Sequence, residues 1–163
     1  MDATATESTS SALRRAFGCF PSGVAAICAD VEPQATGMLV SSLTSVSLDP
    51  PLLSLCVQNG SRTWSGLRTA THVGVSVLGD THEQVCAQFA GTSAERLRGV
   101  DTRRTDQGAI LLTDAAATFI CSVCDEIPAG DHSIVILRIE TFDTAPESAP
   151  LVFHRSRYRR LAG

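Results

Sequence analysis

The 163 residues predict a mainly β, antiparallel fold with a few short helices. Six or seven apolar segments of strand length are separated by turn residues, and helices do not alternate with them as in βαβ units. The sequence also contains no GxGxxG motif, so a Rossmann dinucleotide fold has no support. The spacing of the segments favours a Greek-key or up-and-down antiparallel barrel.

The first elements follow from composition and periodicity. Residues 1–11 are polar and predict a disordered N-terminal tail, so the folded domain is expected to cover residues 12–163. Apolar residues recur at helical spacing from Leu13 to Phe20, and a proline directly afterwards ends this helix. Residues 23–29 predict a strand, and the turn chemistry of residues 30–37 predicts a hairpin into the next one.

The remaining elements are shorter and more widely spaced. Further strands are predicted over residues 52–57, 73–78, 115–125, 133–142 and 151–154. Ser61 is expected to cap a short helix over residues 61–70. Thr81 and Gln84 have the spacing of a capping box, which predicts the start of another helix. The charged residues 91–107 predict a mobile loop around a short helix.

Composition excludes several functions. All 13 basic residues are arginine, so neither a Schiff-base lysine nor a P-loop lysine can exist in this chain. The formal charge of −4 argues against a nucleic-acid partner. No apolar run has the roughly 20 residues of a membrane helix, and residues 1–11 do not resemble a secretory signal. We therefore expect a cytoplasmic protein without a membrane partner.

The six cysteines lie mostly in apolar segments, which is typical of small packing residues in a reducing compartment. Cys121 and Cys124 have CxxC spacing, but they fall within a predicted strand. Residues three apart on a strand point to opposite faces, so we expect the two sulfurs to diverge. No histidine pair accompanies them, and we expect no metal site.

The stretch from Gly37 to Pro51 combines strand-like alternation with an abrupt Asp-Pro-Pro end. Its hydroxyl side chains belong to Ser41, Ser42, Thr44, Ser45 and Ser47. An ordered backbone with many exposed donors suits a phosphorylated or heteroaromatic ligand. An edge strand with a polar outer face explains the same pattern, and the pattern alone leaves both interpretations open.

Several motifs then occur in a distinctive order. They are Phe20-Pro-Ser-Gly-Val24, Gly37-Met38, Ser41-Ser-Leu-Thr-Ser-Val-Ser-Leu-Asp-Pro-Pro-Leu52, Ser61-Arg-Thr63, Phe89-Ala90, Gly130-Asp-His132, Pro150-Leu151 and Tyr158. In this order, over nearly the whole chain, they resemble the short-chain flavin reductase family of FMN-binding split barrels. Leu39, Ser76 and Ser156 depart from the residues common in that family.

The resemblance implies a flavin site in the serine-rich stretch and after it. In the serine-rich stretch it assigns Leu39, Val40, Ser41, Ser42, Ser45, Val46 and Ser47 to the flavin. Beyond the stretch it assigns Ser61, Arg62, Thr63, Phe89 and Ala90. Ser61, Arg62 and Thr63 begin a predicted helix, where free amides and a guanidinium favour a phosphate. Simple capping by Ser61 is compatible with that role.

The resemblance also implies a nicotinamide side. Its residues would be Phe20, Pro21, Ser22, His132, Arg157 and Tyr158. His132 would position the reduced nicotinamide, and no residue would act as a catalytic acid, base or nucleophile. The neighbouring Arg155, Arg159 and Arg160 receive no role, and a solvated tail explains the arginine-rich segment equally well.

The function implied by the resemblance is an NAD(P)H:flavin oxidoreductase. It would be a homodimer that uses NADH or NADPH to reduce FMN or FAD and supplies a separate monooxygenase with reduced flavin. A non-enzymatic flavin-binding or storage protein on the same barrel is the alternative. Reduction of a corrinoid or an iron chelate is a third possibility.

Overall fold

The computed structural model describes residues 8–161, and in these residues strands predominate. The strands are β1 Ser22–Gly23, β2 Ala25–Ala29, β3 Thr36–Val40, β4 Thr44–Leu48, β5 Pro51–Gln58, β6 Val73–Val77, β7 Thr102–Arg104, β8 Ile110–Leu112, β9 Ala117–Ala129, β10 His132–Thr144, β11 Leu151–His154 and β12 Arg157–Arg160. The helices are α1 Thr9–Gly18, α2 Arg62–Leu67, α3 Glu83–Phe89 and α4 Ser93–Arg96. The strands pair antiparallel, which confirms the predicted fold class.

The main sheet has seven strands in the order β3-β2-β6-β9-β10-β5-β4. Its two edge strands, β3 and β4, are consecutive in the chain and are joined only by residues 41–43. Four Cα steps separate Val40 from Thr44 and can span at most roughly 14 Å. The sheet must therefore curve until its two edges approach each other at this linker.

Strand β2 explains how the curved sheet is covered on both faces. Its five residues are all at most 1% exposed. Ala25 and Ile27 pack into one apolar cluster with Leu55 and Val135. Ala26 and Cys28 point the other way, into a second cluster with Leu78, Ile110 and Leu151. Because successive strand residues alternate in direction, an uninterrupted apolar run is what a strand between two cores requires.

A smaller sheet with the order β1-β11-β12 adjoins the main one. The amide of Leu78 donates to the Val24 carbonyl and the amide of Leu151 donates to the Leu78 carbonyl, both at 2.9 Å. These bonds join the N-terminal and C-terminal segments at Leu78, directly after β6. The small sheet therefore brings residues from both ends of the sequence to one side of the molecule.

The first helix begins earlier than the sequence indicated. Of the predicted disordered tail, residues 1–7 lie outside the described residues, and residues 9–11 form the first turn of α1. The hydroxyl of Ser8 accepts from the Ser11 amide at 3.3 Å and so caps the helix. A serine N-cap was the local signal for this earlier start.

The capping box predicted at Thr81 is wrong. Residues Asp80–His82 form a 3-10 turn, and α3 begins only at Glu83. His82 is 6% exposed. Its Nδ1 accepts from the Gly79 amide at 3.1 Å, and its Nε2 donates to the Thr113 carbonyl at 2.9 Å. These two bonds stabilise the turn, and no side chain caps the start of α3.

Three strands were not expected from the sequence, namely β7, β8 and β12. Strand β7 lies in the segment predicted to be a loop, and β12 carries three arginines, which hide its strand character. In contrast, β9 and β10 are longer than predicted and meet at a two-residue turn, Gly130-Asp131, where Gly130 has a φ of 69°. Within residues 8–161, no helix is long and apolar enough to cross a membrane.

Candidate functional site

A cavity of about 340 Å³, the β3 cavity, lies at the outer edge of β3. Five predicted flavin residues line it: Leu39, Ser61, Thr63, Phe89 and Ala90. It is completed by Met38, Cys86, Arg96 and Tyr158. Among the described residues β3 pairs only with β2, and α2, α3 and α4 all pack near it. The cavity is thus bounded by β3 and these three helices.

Arg96 is the charged residue of the β3 cavity, and no sequence motif pointed to it. Its Nη1 donates to the Gly37 carbonyl and to the Thr63 hydroxyl, both at 2.9 Å, while its Nε donates to the Gly91 carbonyl at 3.3 Å. Arg96 therefore ties α4 to β3 and α2. No local pattern indicates this role, because Gly37 and Thr63 lie far from Arg96 in the sequence.

Gly37 determines how closely the helices approach β3. A Cβ at this position would overlap the Cys28 sulfur and would lie 3.0 Å from Cε1 of Phe89. Phe89 is 5% exposed and forms part of the cavity wall. The missing side chain therefore lets Phe89 pack directly against β3.

Cys86 and Tyr158 face each other in the cavity wall. Burial raises the pKa of Tyr158 to about 12, and the neighbouring Cys86 adds to this effect. Burial also raises the pKa of Cys86, which the side-chain hydrogen bond with Tyr158 partly offsets. Both groups are consequently neutral at physiological pH, and they provide weak hydrogen-bonding groups rather than a nucleophile.

Arg62 does not reach the β3 cavity. It lines a second cavity of about 470 Å³, the β5 cavity, with Gln58, Asn59, Trp64 and other residues at the end of β5. Ser61 lines both cavities, so they adjoin at the start of α2. The hydroxyl of Ser61 accepts from the Trp64 amide at 3.2 Å, which confirms the predicted helix cap.

The serine-rich stretch is divided between the two sheet edges. Val40 is 7% exposed and packs in the core, so its side chain is not available to a ligand. Ser41 is exposed in the linker, whereas the Ser42 hydroxyl accepts from the Cys56 amide at 2.9 Å and ties the linker to β5. Ser45, Val46 and Ser47 lie on β4 and do not line the β3 cavity.

His132 begins β10 and lies opposite Gln58. Its Nδ1 donates to the Asp131 carboxylate at 2.7 Å. Asn59 holds the same turn, since its amide donates to the Asp131 carbonyl at 2.9 Å and its side chain donates to the Gly130 carbonyl at 3.1 Å. These bonds hold the turn beside His132, which does not itself line the β5 cavity, although the adjacent Ser133 does.

The other predicted nicotinamide residues belong to the small sheet and to the end of α1. Phe20 is 69% exposed, Pro21 is exposed, and Ser22 pairs with Phe153 of β11. The Phe153 ring lies 5.5 Å from that of Tyr158, centroid to centroid. Tyr158 therefore connects this group to the β3 cavity, while Arg157 lies exposed at the start of β12.

The CxxC cysteines diverge as predicted. Cys121 is fully buried in the core, where burial raises its thiol pKa to about 12. Cys124 lies on the same strand and is exposed. The pair therefore offers no dithiol chemistry.

A sequence model of the flavin reductase like domain family matches residues 17–162. The chain belongs to this family. A probable flavin reductase of Rhizobium meliloti is 39% identical to this flavin reductase-like chain over 155 residues. That match covers 93% of the chain but only 50% of the relative, so the chain spans about half of the relative's length.

Solved structures of related proteins agree with this assignment. An NADH:FAD oxidoreductase of Streptomyces globisporus, in complex with NAD and FAD fragments, is 33% identical with a TM-score of 0.85. The match covers 92% of this chain and 91% of that one. Component B of a nitrilotriacetate monooxygenase from Mycobacterium thermoresistibile is 29% identical with a TM-score of 0.87, covering 93% and 86% of the two chains.

Proposed function

We propose that this flavin reductase-like protein is an NAD(P)H:flavin oxidoreductase whose flavin binds in the β3 cavity. The main support is the convergence of Leu39, Ser61, Thr63, Phe89 and Ala90 on one cavity. These residues come from β3, α2 and α3, which are distant in sequence and share no local motif. Relatives that carry the names of flavin reductases support the same reaction.

The residues of the β3 cavity fit a flavin. Leu39 and Phe89 provide apolar surface for a ring system, and Thr63 with Arg96 provides polar groups for a phosphate. No acidic residue lines the cavity within the described part of the chain. Phe89 packs directly against Gly37, so an aromatic ring forms the wall of the cavity beside β3.

When bound, the flavin would supply the hydride acceptor for a reduced nicotinamide. The protein would contribute binding and orientation, which can lower a barrier substantially without a catalytic acid or base. Ser61 and Thr63 would hold the ribityl-phosphate side of the flavin. Ser41 and Ser42, in the linker between β3 and β4, would contact its ring through their backbone. His132 would position the nicotinamide from the β10 side.

The finer features of the proposal follow from the family. The curved sheet with two converging edges would be the split barrel, and two chains would associate through the exposed β4 edge. The flavin would be FMN or FAD, and the hydride donor would be NADH or NADPH. Because a relative is a monooxygenase component, we propose a separate monooxygenase as the recipient of reduced flavin. We also place the protein in the cytoplasm, where its six thiols would stay reduced.

The decisive experiment mixes the purified protein with each combination of NADH or NADPH and free FMN or FAD. We expect the absorbance of reduced nicotinamide to fall at a rate that depends on added flavin. A protein that binds flavin but oxidises neither nucleotide would be a flavin-binding or storage protein instead.

The Thr63→Val variant should weaken flavin binding in a titration, and Thr105→Val, remote from the cavity, is the matched control.

A further inference from the structure

A groove of about 520 Å³ lies between the end of α1 and the turn that joins β11 to β12, and we call it the arginine groove. Three arginines line it, Arg14, Arg15 and Arg155, together with small residues of α1 and the turn. Among the described residues no acid lines this groove. The arginine groove is therefore positively charged, although the whole chain has a formal charge of −4. Such a groove attracts an anion.

The fold builds the arginine groove from both ends of the sequence. The Arg155 amide donates to the Gly18 carbonyl at 2.9 Å and fixes the turn against α1. Arg155 and Ser156 have φ values of 50° and 60°, in the left-handed region that residues with a Cβ rarely adopt. Positive φ at both central residues is typical of the two-residue hairpin turn that joins His154 to its partner Arg157. Arg155 is therefore held in a conformation that glycine would adopt more easily.

The segments around the arginine groove are the ones assigned to the nicotinamide. Helix α1 leads to Phe20 and Ser22, and the β11–β12 turn leads to Tyr158. The pKa of Asp131 is lowered by its hydrogen bond and charge interaction with His132, and Arg14 lowers it further. Arg14 is thus near enough to the His132 turn for its charge to act there.

An aromatic surface lies beside the arginines. Phe17 and Phe20 are 61% and 69% exposed, and their ring centroids are 6.2 Å apart. They directly flank Gly18 and Cys19, which line the arginine groove. Exposed aromatic rings next to arginines suit a ligand that combines a planar base with phosphates. This combination favours a nucleotide over a free inorganic anion.

We propose that the arginine groove binds a phosphate of the reduced pyridine dinucleotide through Arg14 and Arg155. This inference rests on the proposed function, and it names residues for the nucleotide that the sequence analysis left without a role. The phosphate is the 2′-phosphate of NADPH or the pyrophosphate that NADH and NADPH share. Binding the remote half of the dinucleotide orients the nicotinamide toward the flavin without touching the reacting atoms.

The test measures calorimetric binding of NADP⁺ and NAD⁺, which are unreactive, to the wild type, Arg14→Ala and Arg155→Gly. We expect Kd to rise about tenfold in each variant, the size of losing one charge-assisted hydrogen bond. A larger rise for NADP⁺ than for NAD⁺ identifies the 2′-phosphate, and equal rises identify the pyrophosphate. Wild-type Kd values in both variants would overturn the proposal, as would a wild type that binds neither dinucleotide.

Arg155→Gly also separates binding from folding. Glycine relieves the positive φ, so its Tm should equal or exceed that of the wild type while its affinity falls. Arg138→Ala is the charge-matched control, because Arg138 lies exposed on β10, six residues and roughly 20 Å along the strand from His132. It should keep the wild-type Kd, and an equal loss in Arg138→Ala would reduce the effect to net charge and overturn the proposal.

Steady-state flavin reduction distinguishes this inference from the proposed function. If Arg14 and Arg155 control dinucleotide affinity but the wild type reduces no flavin, the arginine groove stands and the oxidoreductase proposal fails. If the wild type reduces flavin and both variants keep its KM for NADH and NADPH, the reaction stands and the arginine groove fails.

Discussion

Strands β3 and β4 are the two edges of one curved sheet, but their surroundings differ. The β3 edge faces α2, α3 and α4, which enclose a cavity with Arg96 and Phe89 in its wall. On β4, Val46 is 49% and Leu48 is 96% exposed. Both strands come from one serine-rich stretch, so their sequence pattern does not decide their roles. What packs against each edge makes β3 the wall of a cavity and leaves side chains of β4 exposed.

The largest effect should come from a substitution on β4, the exposed edge of the sheet. If two chains associate through β4, Leu48→Ser removes an apolar contact twice in a symmetric dimer, so dimer formation should weaken by about 3 kcal/mol or more. Analytical ultracentrifugation over a concentration series measures this change. Ile127→Ser, at a residue 45% exposed on β9, is the control and should leave association unchanged. An unaltered association constant for Leu48→Ser would remove β4 from the interface.

The stability of the protein should be sensitive to an added side chain on β3, the covered edge. Gly37→Ala forces a Cβ against Cys28 and Phe89, so the free energy of unfolding should fall by about 2 kcal/mol. Urea unfolding measures the loss. Gly23→Ala is the matched control, since a Cβ there meets no atom within 4 Å. Equal stability of the two variants would mean that Phe89 does not pack on β3 as described.

The charge in the β3 cavity should affect flavin more than folding. Arg96→Ala removes the hydrogen bonds to Gly37 and Thr63, and we expect the flavin Kd to rise about tenfold. Fluorescence titration with FMN and FAD provides the measurement. The exposed Arg98 offers a control of equal charge, and Arg98→Ala should titrate like the wild type. Identical titration curves for Arg96→Ala and Arg98→Ala would mean that Arg96 does not contribute to flavin binding.

The last prediction compares the interior and the surface of one strand, β9. The pKa of Cys121 is raised by burial from 9.0 to about 12. Between those pH values the unfolded thiol loses its proton while the folded one keeps it, so stability falls as pH rises. Cys121→Ala should therefore lose less stability between pH 9 and 12 than Cys124→Ala does. Urea unfolding midpoints at several pH values measure the stability of both variants. An equal loss of stability with pH in the two variants would contradict a raised pKa for Cys121.

Much of the fold could be predicted because its signals are local. The apolar runs of β2, β5 and β6 and the Ser61 cap each depend on a few neighbouring residues. Strand β12 escaped prediction because arginines occupy its exposed positions, and its pairing with β11 cannot be read from either segment alone.

The candidate site could be predicted only in part. Leu39, Thr63 and Phe89 were assigned from the family resemblance, and they do share a cavity. Arg96 was missed because it acts across a long-range contact. Arg62 was grouped with Thr63, although successive helix residues point about 100° apart and so face different cavities.

The location of bound flavin tests the central claim most directly. A crystal structure of the protein with FMN should place the ligand in the β3 cavity, with its phosphate within hydrogen-bonding distance of Thr63 or Arg96. Flavin bound along β4, or confined to the β5 cavity with the β3 cavity free of ligand, would contradict it.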